Sequence, residues 1–351
     1  MKLVSIKVAI AFVLCLGAAT ASIAATEVVY AGAGGSLADV QKKVFIEPFA
    51  AETGIVVKQL ATSDRLSAIK AMMISGNTVW DIVEFNSILY GKAASEGWLE
   101  RLDWAKIDPN NVLPDEAKLP YGGVHATFSS VLAVRTDALP KGKKMTGWED
   151  FWDVKNFPGG RSLNNSPVDN LEAALLADGV AVKDLYKVLS TREGQDRAFA
   201  KLDQIKPHIK SWWTKPAQPV QMLSDNEVAF TSSYNGRITA LAKQGVPVKI
   251  VWNGSGIKAS YVSIVKGAKN KDAAQKYISY VMTNPKRAAQ FASKVAYPGM
   301  VKGLYDYMDP ASAINFPTYP DNVRVQYFSD VDFWGKNLDA LQERWTDWLL
   351  K

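Results

Sequence analysis

The chain is poor in the groups that most often carry chemistry. Its one cysteine, Cys15, sits in an apolar run near the N-terminus, so the remaining chain has no thiol, no disulfide and no thiolate metal site. Val13-Leu14 precede Cys15 where a lipid-acceptor cysteine needs a small residue, so it is not read as an anchor. The two histidines, His125 and His208, have no carboxylate or second histidine at metal-ligand spacing and read as surface or structural side chains. No two tyrosines are adjacent, which removes the tyrosine pair that binds ferric iron. Gly254-Ser255-Gly256 lacks the strand–turn–helix setting of a nucleophile elbow. Gly32-x-Gly34 does not extend into a dinucleotide fingerprint. An enzyme would have no nucleophile, base or metal to stand on, and no cofactor is expected.

Runs of like charge are equally scarce. The net charge is +6, and the longest basic run, Lys141–Lys144, is broken by Gly142. Charge spread this evenly reads as an ordinary soluble surface and gives no reason to expect a nucleic-acid partner. No apolar stretch after the N-terminal one approaches the ~20 residues of a membrane-spanning helix. There is no internal repeat, no low-complexity segment and no Pro/Gly/Ser-rich linker dividing the chain.

What is present begins at the N-terminus. Lys2 and Lys7 precede an apolar run from Val8 to Ala19, and Ala21-Ser22-Ile23-Ala24 follow. A charged segment, a short apolar segment and a small-x-small site predict a secretory signal peptide cleaved near Ala24. Export argues against nucleotide-dependent enzymes and nucleic-acid binders. The remaining about 325 residues suffice for two domains or lobes.

Beyond the signal, strand and helix patterns alternate. Glu27–Ala31 reads as a strand and Gly32–Gly35 as a turn. Ser36 and Asp39 form a capping-box-like pair opening a helix. Ile55–Leu60 is the next strand, and Ser63 is placed as the cap of a second helix carrying Leu66, Ile69, Met72 and Met73. Further strands are expected at Val79–Phe85, Glu227–Tyr234, Pro247–Trp252 and Tyr261–Val265. Further helices are expected at Gly91–Gly97, Arg237–Gln244, Lys271–Met282, Pro285–Ala292 and Phe333–Lys351. The Trp and Leu stripe of the last reads as core packing. Such alternation predicts βαβ units and a mostly parallel sheet, with ligands beyond the carboxyl ends of the strands. The turns after strands, Gly32–Ser36, Thr62-Ser63, Phe85-Asn86-Ser87 and Tyr234–Arg237, are therefore the candidate binding segments. Arg237 falls where a strand gives way to a helix, beside free N–H groups and the positive end of the helix dipole. A guanidinium there suits two-point capture of a carboxylate, although position alone allows a surface arginine or an internal salt bridge.

Several segments carry a resemblance in their order and spacing. They include Phe49-Ala50-Ala51-Glu52-Thr53-Gly54-Ile55, Trp80-Asp81-Ile82-Val83 and Glu96-Gly97-Trp98-Leu99-Glu100. Gly147-Trp148-Glu149-Asp150-Phe151-Trp152, Glu227-Val228-Ala229-Phe230 and Val265-Lys266-Gly267-Ala268-Lys269-Asn270 continue the pattern. The chain resembles the extracellular solute-binding receptors of ABC importers, in the branch of polyamine and 4-aminobutyrate receptors. The resemblance implies an α/β fold of the two-lobed periplasmic-binding-protein type (type II-like), each lobe a mostly parallel sheet flanked by helices, joined by strand hinges. The expected division is 1–24 signal peptide, 25–132 plus 262–300 N-lobe, and 133–261 plus 301–351 C-lobe. Crossings are expected near Ser130–Val134 and Ala259–Ser263. The implied function is that of a periplasmic monomer that clamps a small ligand between its lobes and delivers it to a membrane permease.

Departures from the polyamine pattern bear on the ligand. Polyamine receptors resemble Trp-x-Gly followed by a small or acidic residue at the strand end, where this chain has Tyr234-Asn235-Gly236-Arg237. Their Trp-x-Asp entering the hinge is replaced by Lys258-Ala259-Ser260; the 4-aminobutyrate-like relatives keep that aspartate for the amine. Cations at both places favour a small organic anion, a mono- or dicarboxylate. Arg237 and Lys258 would carry the charge. Ser260, Gly35, Ser36, Asn86, Ser87 and Ser166 would add neutral hydrogen bonds, and Tyr234 and Trp213 apolar walls. Which of Trp212 and Trp213 faces the ligand is open. Alternatives are a zwitterion such as 4-aminobutyrate, its amine on Asp64, Glu84 or Asp169, a polyamine-type ligand, a phosphonate-like oxyanion, and a secreted enzyme on the same fold.

Overall fold

Among the described residues, the β-branched and aromatic runs form ten strands, most of them short. A computed structural model describes residues 26–351. The expected signal peptide and Cys15 lie outside the described residues. The strands are β1 Glu27–Gly32, β2 Val56–Ala61, β3 Ile82–Asn86, β4 Lys118–Leu119, β5 Gly122–Arg135, β6 Arg161–Asn164, β7 Ile209–Trp213, β8 Phe230–Tyr234, β9 Val248–Ile264 and β10 Tyr327–Phe328. The helices that matter below are α1 Ser36–Gln41, α2 Arg65–Ser75, α3 Ser87–Ser95, α4 Asn170–Ala177, α5 Arg192–Ile205, α6 Asn235–Lys243, α7 Lys271–Met282, α8 Pro285–Val295 and α9 Val331–Leu350.

One sheet runs in the order β2-β1-β3-β9-β5-β8-β6-β7. Its two ends are parallel: β1 pairs in parallel with β2 and β3, and β6 with β7 and β8. The two long strands between them, β5 and β9, are antiparallel to each other, β9 also to β3 and β5 also to β8. The segment expected as two strands, Pro247–Trp252 and Tyr261–Val265, is a single 17-residue strand. Gly254 adopts φ 72°, and the register against β5 shifts between Ser130 and Leu132, so the chain bends there without leaving the sheet. β9 pairs with β3 through Ser260–Ile264, and β5 pairs with β8 through Ser130–Val134.

The buried apolar residues gather around the two ends of this sheet. Val28, Phe49, Ile82, Phe85, Ile278 and Phe291 belong to one core, which also takes in Val301 and Leu304. Leu132, Val134, Phe151, Phe199, Trp334 and Trp345 belong to another. Val131, Ala133, Trp213, Ile238 and Leu241 form a smaller third. The alternation of 131 and 133 with 132 and 134 is the period of two that sends a strand's side chains to opposite faces. Both faces of β5 are covered there, which is why Val131–Val134 is a continuous apolar run.

Local capping differs from expectation in two places. Gly35, at φ 72°, takes the cap position of α1, and Ser36 is its first helical residue. α2 is capped by Asp64, whose Oδ1 accepts from the Ser67 N–H at 3.2 Å, rather than by Ser63. The last helix does place its aromatic stripe in a core: Trp345 and Trp348 of α9 meet Trp212 edge to face at 5.4 and 5.6 Å. It also packs on α3, where a Cβ on Gly91 would sit 2.5 Å from the Val331 carbonyl oxygen. Only glycine lets these two backbones approach so closely.

Glu172 of α4 lies fully inside the second core. Its Oε1 accepts from Tyr186 Oη and Trp334 Nε1, both at 2.8 Å. Burial pushes its carboxyl up to about 7, and the nearby Asp169 charge adds to that rise. Because the folded value lies above the unfolded one, the native state holds this proton longer, and stability falls as pH rises from about 4.5 to about 7. Glu172→Gln keeps an acceptor for both donors and has no proton to lose. The variant is expected to gain melting temperature over wild type at pH 8 but not at pH 5; parallel pH–melting curves for the two proteins would contradict this.

Candidate functional site

A cavity of about 520 Å³ opens where the strands β3, β5 and β9 meet the start of α6. That volume is in the range of small-ligand sites, roughly 300–1,000 Å³. One wall comes from the first core's side of the sheet: Leu37 of α1, Glu84 of β3, His125 and Ala126 of β5. The opposite wall comes from Tyr234, Asn235, Gly236 and Arg237, where β8 turns into α6. Ser260 of β9 and Phe128 of β5 form part of the lining between them, and Val295 at the end of α8, with Ala296 and Tyr297 after it, closes a side. A wider concavity of about 1060 Å³ lies between α5 and α9. Arg344 and Arg192 there both pair with Asp196, at 2.6 and 3.1 Å.

The turn that carries Arg237 is held firmly. Asn235 is buried, and its Oδ1 accepts from the Ser129 N–H of β5 at 2.8 Å. The first residue of α6 is thereby tied to the long strand beside it. Arg237, two residues on, is exposed and has neither a salt bridge nor a side-chain hydrogen bond among the described residues. It projects a free cation at the N-terminus of a nine-residue helix, where unpaired N–H groups also favour an anion.

The cavity is aromatic at its centre. Phe128 meets Tyr234 edge to face at 5.5 Å and Tyr297 at 6.2 Å. Burial raises the Tyr234 phenol above its ordinary value, against the opposing pull of Lys258, so it remains a neutral donor at physiological pH. Trp213 stands behind Tyr234 at 6.1 Å, edge to face, in the third core. It supports the lining without entering it, while Trp212 packs on α9. Both tryptophans are therefore packing residues, and the aromatic wall comes from Phe128, Tyr234 and Tyr297.

Lys258 does not reach the cavity lining. Its Nζ lies 2.5 Å from Asp169 Oδ2, and its ammonium is 5.9 Å from the Tyr234 ring. The side chains are 14% and 7% exposed, so this is a sheltered ion pair and its charge is cancelled locally. Burial opposes the charged lysine, but Asp169 more than offsets it and keeps the ammonium's value raised.

Of the other residues singled out in the sequence, Tyr234, Ser260 and Arg237 come together in the cavity. Ser87 instead locks β9: its Oγ accepts from the Ala259 N–H and donates to the Ala259 carbonyl, both at 3.2 Å. Asn86 caps α3 through the Leu89 N–H at 2.9 Å. Ser166 accepts from the Val168 N–H at 3.2 Å in the turn before α4. Gly35 is exposed beside the α1 start and does not line the cavity, and Ser36 precedes the lining residue Leu37. Ser87, Asn86 and Ser166 are thus consumed by turn or cap geometry, the commoner fate of Ser and Asn after strands.

Two lining residues carry no motif signal. Glu84, 5% exposed, receives Tyr30 Oη at 2.6 Å and Gln41 Nε2 at 2.9 Å, both on Oε2. His125 Nε2 lies 3.3 Å from its Oε1 without hydrogen-bond alignment. Burial alone would raise the Glu84 carboxyl, yet His125 and the two hydrogen bonds bring it down to about 2. A lone acid in an otherwise apolar strand, Ile82-Val83-Glu84-Phe85, is the available signal.

The known relatives agree with this architecture. Residues 45–318 match the family of bacterial extracellular solute-binding proteins. The γ-aminobutyric acid-binding protein of Pseudomonas aeruginosa is 37% identical over 316 residues, covering 90% of this chain and 88% of that one. A solved ABC transporter substrate-binding protein from Bradyrhizobium japonicum USDA 110 is 34% identical with a TM-score of 0.79, over 92% of this chain and 99% of the other. A solved GABA receptor is 33% identical with a TM-score of 0.78, over 92% and 98%. With a cavity set among the strands that join two cores, and a family match over most of its length, the chain belongs to the bacterial extracellular solute-binding proteins, the two-lobed substrate receptors of ABC transporters.

Proposed function

We propose that this chain is a periplasmic receptor that takes a small organic acid by its carboxylate, through Arg237, and presents it to an ABC permease in the inner membrane. The observation that carries this reading is a guanidinium with no carboxylate partner among the described residues, lining a cavity of about 520 Å³. Arg135 and Arg161, by contrast, are held by Asp137 and by the Phe151 carbonyl. Ser260 and the α6 N–H groups add neutral donors, and Phe128, Tyr234 and Tyr297 enclose an apolar middle. The exported, periplasmic setting rests on the N-terminal signal pattern. Among the described residues no helix is long and apolar enough to cross a membrane.

In this reading the protein is a monomer and a carrier rather than a catalyst. The lobes are 25–132 plus 262–300 and 133–261 plus 301–351, moving about β5 and β9, with Val301 and Leu304 contributing to the first core. Polyamines bind poorly, because one of their ammonium groups would lie near Arg237. In a thermal-shift panel, small carboxylates are expected to raise the melting temperature and putrescine to leave it unchanged; ligand at roughly 100 times its Kd adds ~2.7 kcal/mol. Stabilisation by putrescine and not by any carboxylate would overturn the proposal. A second reading, an ω-amino acid such as 4-aminobutyrate, is favoured by the carboxylate of Glu84 in the same cavity and by the ligand named for the Pseudomonas aeruginosa relative.

A further inference from the structure

Two helices exchange side chains between the cores where they cross. α3 lies on the first core with Tyr90 and Ala93, yet its Ile88 packs against the second. α9 lies in the second core with Trp334, Leu341, Trp345 and Trp348, yet its first residue, Val331, belongs to the first. Between these two exchanges the backbones nearly touch. A Cβ on Gly91 would meet the Val331 carbonyl oxygen at 2.5 Å, and one on Gly335 would meet the Gly91 carbonyl carbon at 3.2 Å. The chain also passes from the first core to the second just before α9, between Leu304 and Tyr327. β5 and β9 are therefore not the only links between the two halves.

Each helix is anchored on its own side, and the contact between them is smooth. Trp334 Nε1 donates to Glu172 at 2.8 Å, Trp345 Nε1 to Asn165 at 2.9 Å and Trp348 Nε1 to Asp203 at 2.7 Å, all on the side of the second core. No side chain of α9 bonds to α3 among the described residues. α3 is tied to β9 instead, because Ser87, its first residue, bonds both backbone groups of Ala259 at 3.2 Å. Ala259 directly precedes Ser260 of the cavity lining. Two helices that meet only through backbone contact can turn on one another without breaking a hydrogen bond. They cannot separate without leaving a void, or approach without a clash.

We propose that the Gly91–Gly335 crossing is the fulcrum on which the two lobes turn, and that the closeness it permits sets how far the cavity opens. β5 and β9 supply the bending, and the crossing fixes the axis. The proposal rests on the reading of β5 and β9 as hinges and is independent of which ligand enters. Ile88, Gly91, Val331 and Gly335 do not line the cavity. The apparent affinity of a receptor scales with the fraction of molecules in the binding-competent form. Affinity is thereby set in part from a place that the ligand does not touch.

The test measures the separation of the lobes in the free protein with paired spin labels. Cys15, the only native cysteine, lies in the expected signal segment, so labels on the exported chain attach only where cysteines are introduced. Lys70→Cys on α2 and Lys215→Cys after β7 are both at exposed positions. Gly335→Ala adds one methyl group that must push α3 away by a few tenths of an ångström, while alanine favours the helix over glycine. A shift at a fulcrum is multiplied across a lobe, so the label distance is expected to move by about 1–2 Å or more. Ile88→Ala loosens the same crossing by removing atoms and is expected to broaden the distances; it reads the crossing even if Gly335→Ala does not fold. Leu341→Ala is the control, since it weakens α9 inside the second core and should leave the distances unchanged. Distances unaltered by Gly335→Ala and Ile88→Ala, or altered equally by Leu341→Ala, would overturn the fulcrum and leave the hinges standing. If the wild-type distances are in addition no broader than those of a pair within one lobe, Lys70→Cys with Lys276→Cys, the hinge reading falls as well.

Discussion

Arg237→Ala is expected to weaken binding of a small carboxylate by at least ~30-fold. Truncating one partner of a sheltered charge pair costs ~2–5 kcal/mol, and about 1.4 kcal/mol is a factor of ten. Two features make the estimate apply here. The guanidinium makes no polar contact among the described residues that the ligand would have to break, and its backbone is fixed by the Asn235–Ser129 hydrogen bond. Arg237→Lys should recover only part of the loss, because lysine keeps the charge and gives up the planar two-point fork. The melting temperature of the free protein should stay nearly unchanged, since an exposed, unpaired side chain contributes little to folding. Binding of all three proteins with equal affinity would mean that Arg237 is an ordinary helix-start residue.

Lys258→Ala should act in the opposite way. It removes the partner of Asp169, whose second oxygen, Oδ1, is already buried without a hydrogen bond. Breaking a buried pair from one side leaves an uncompensated charge and costs ~3–5 kcal/mol. Asp169 also sits at φ 73°, a conformation that a side-chain-bearing residue holds only when its surroundings impose it. Thermal or urea denaturation should therefore show a large loss of stability, whereas carboxylate affinity of the folded fraction should change only a few-fold. The double variant Lys258→Ala/Asp169→Asn should lose less than the two single losses combined, because it removes both charges together. Unchanged melting with abolished anion binding would instead place Lys258 at the ligand.

The contrast between these two cations shows where sequence patterns stop. Both read as ligand contacts in the sequence, for the same reason: a cation where a receptor for cations would carry none. Arg237 opens a helix at a strand end, and such a position faces outward whatever packs behind it. Lys258 sits in the middle of a strand, and its long side chain finds whatever acid the neighbouring layer supplies. Asp169 is 89 residues away along the chain, and no local pattern links the two. Ser87, Asn86 and Ser166 differ from expectation for a related reason. Serine and asparagine after strands serve caps and turns as readily as ligands, and the backbone groups they bond become visible only when the fold is built. His125 shows the converse. A lone histidine has no motif, and its place beside Glu84 depends on β5 and β3 both pairing with β9.

The sequence by itself determined the class of this protein: an α/β chain with helices at 3.6-residue spacing. It also determined the receptor family, because ordered short segments survive along nearly the whole length. The bounds of Lys271–Met282 and the core assignment of the α9 aromatic stripe agree between sequence and structure, since both follow from side-chain periodicity alone. The tertiary structure decided the rest. It fused two expected strands into β9, because pairing with β5 across a bulge carries the strand past glycines that would otherwise end it. It also sorted the polar residues into those bound by their neighbours and those left facing the cavity. That sorting depends on partners brought together from distant parts of the chain, and periodicity, which describes only a residue's own element, cannot supply them.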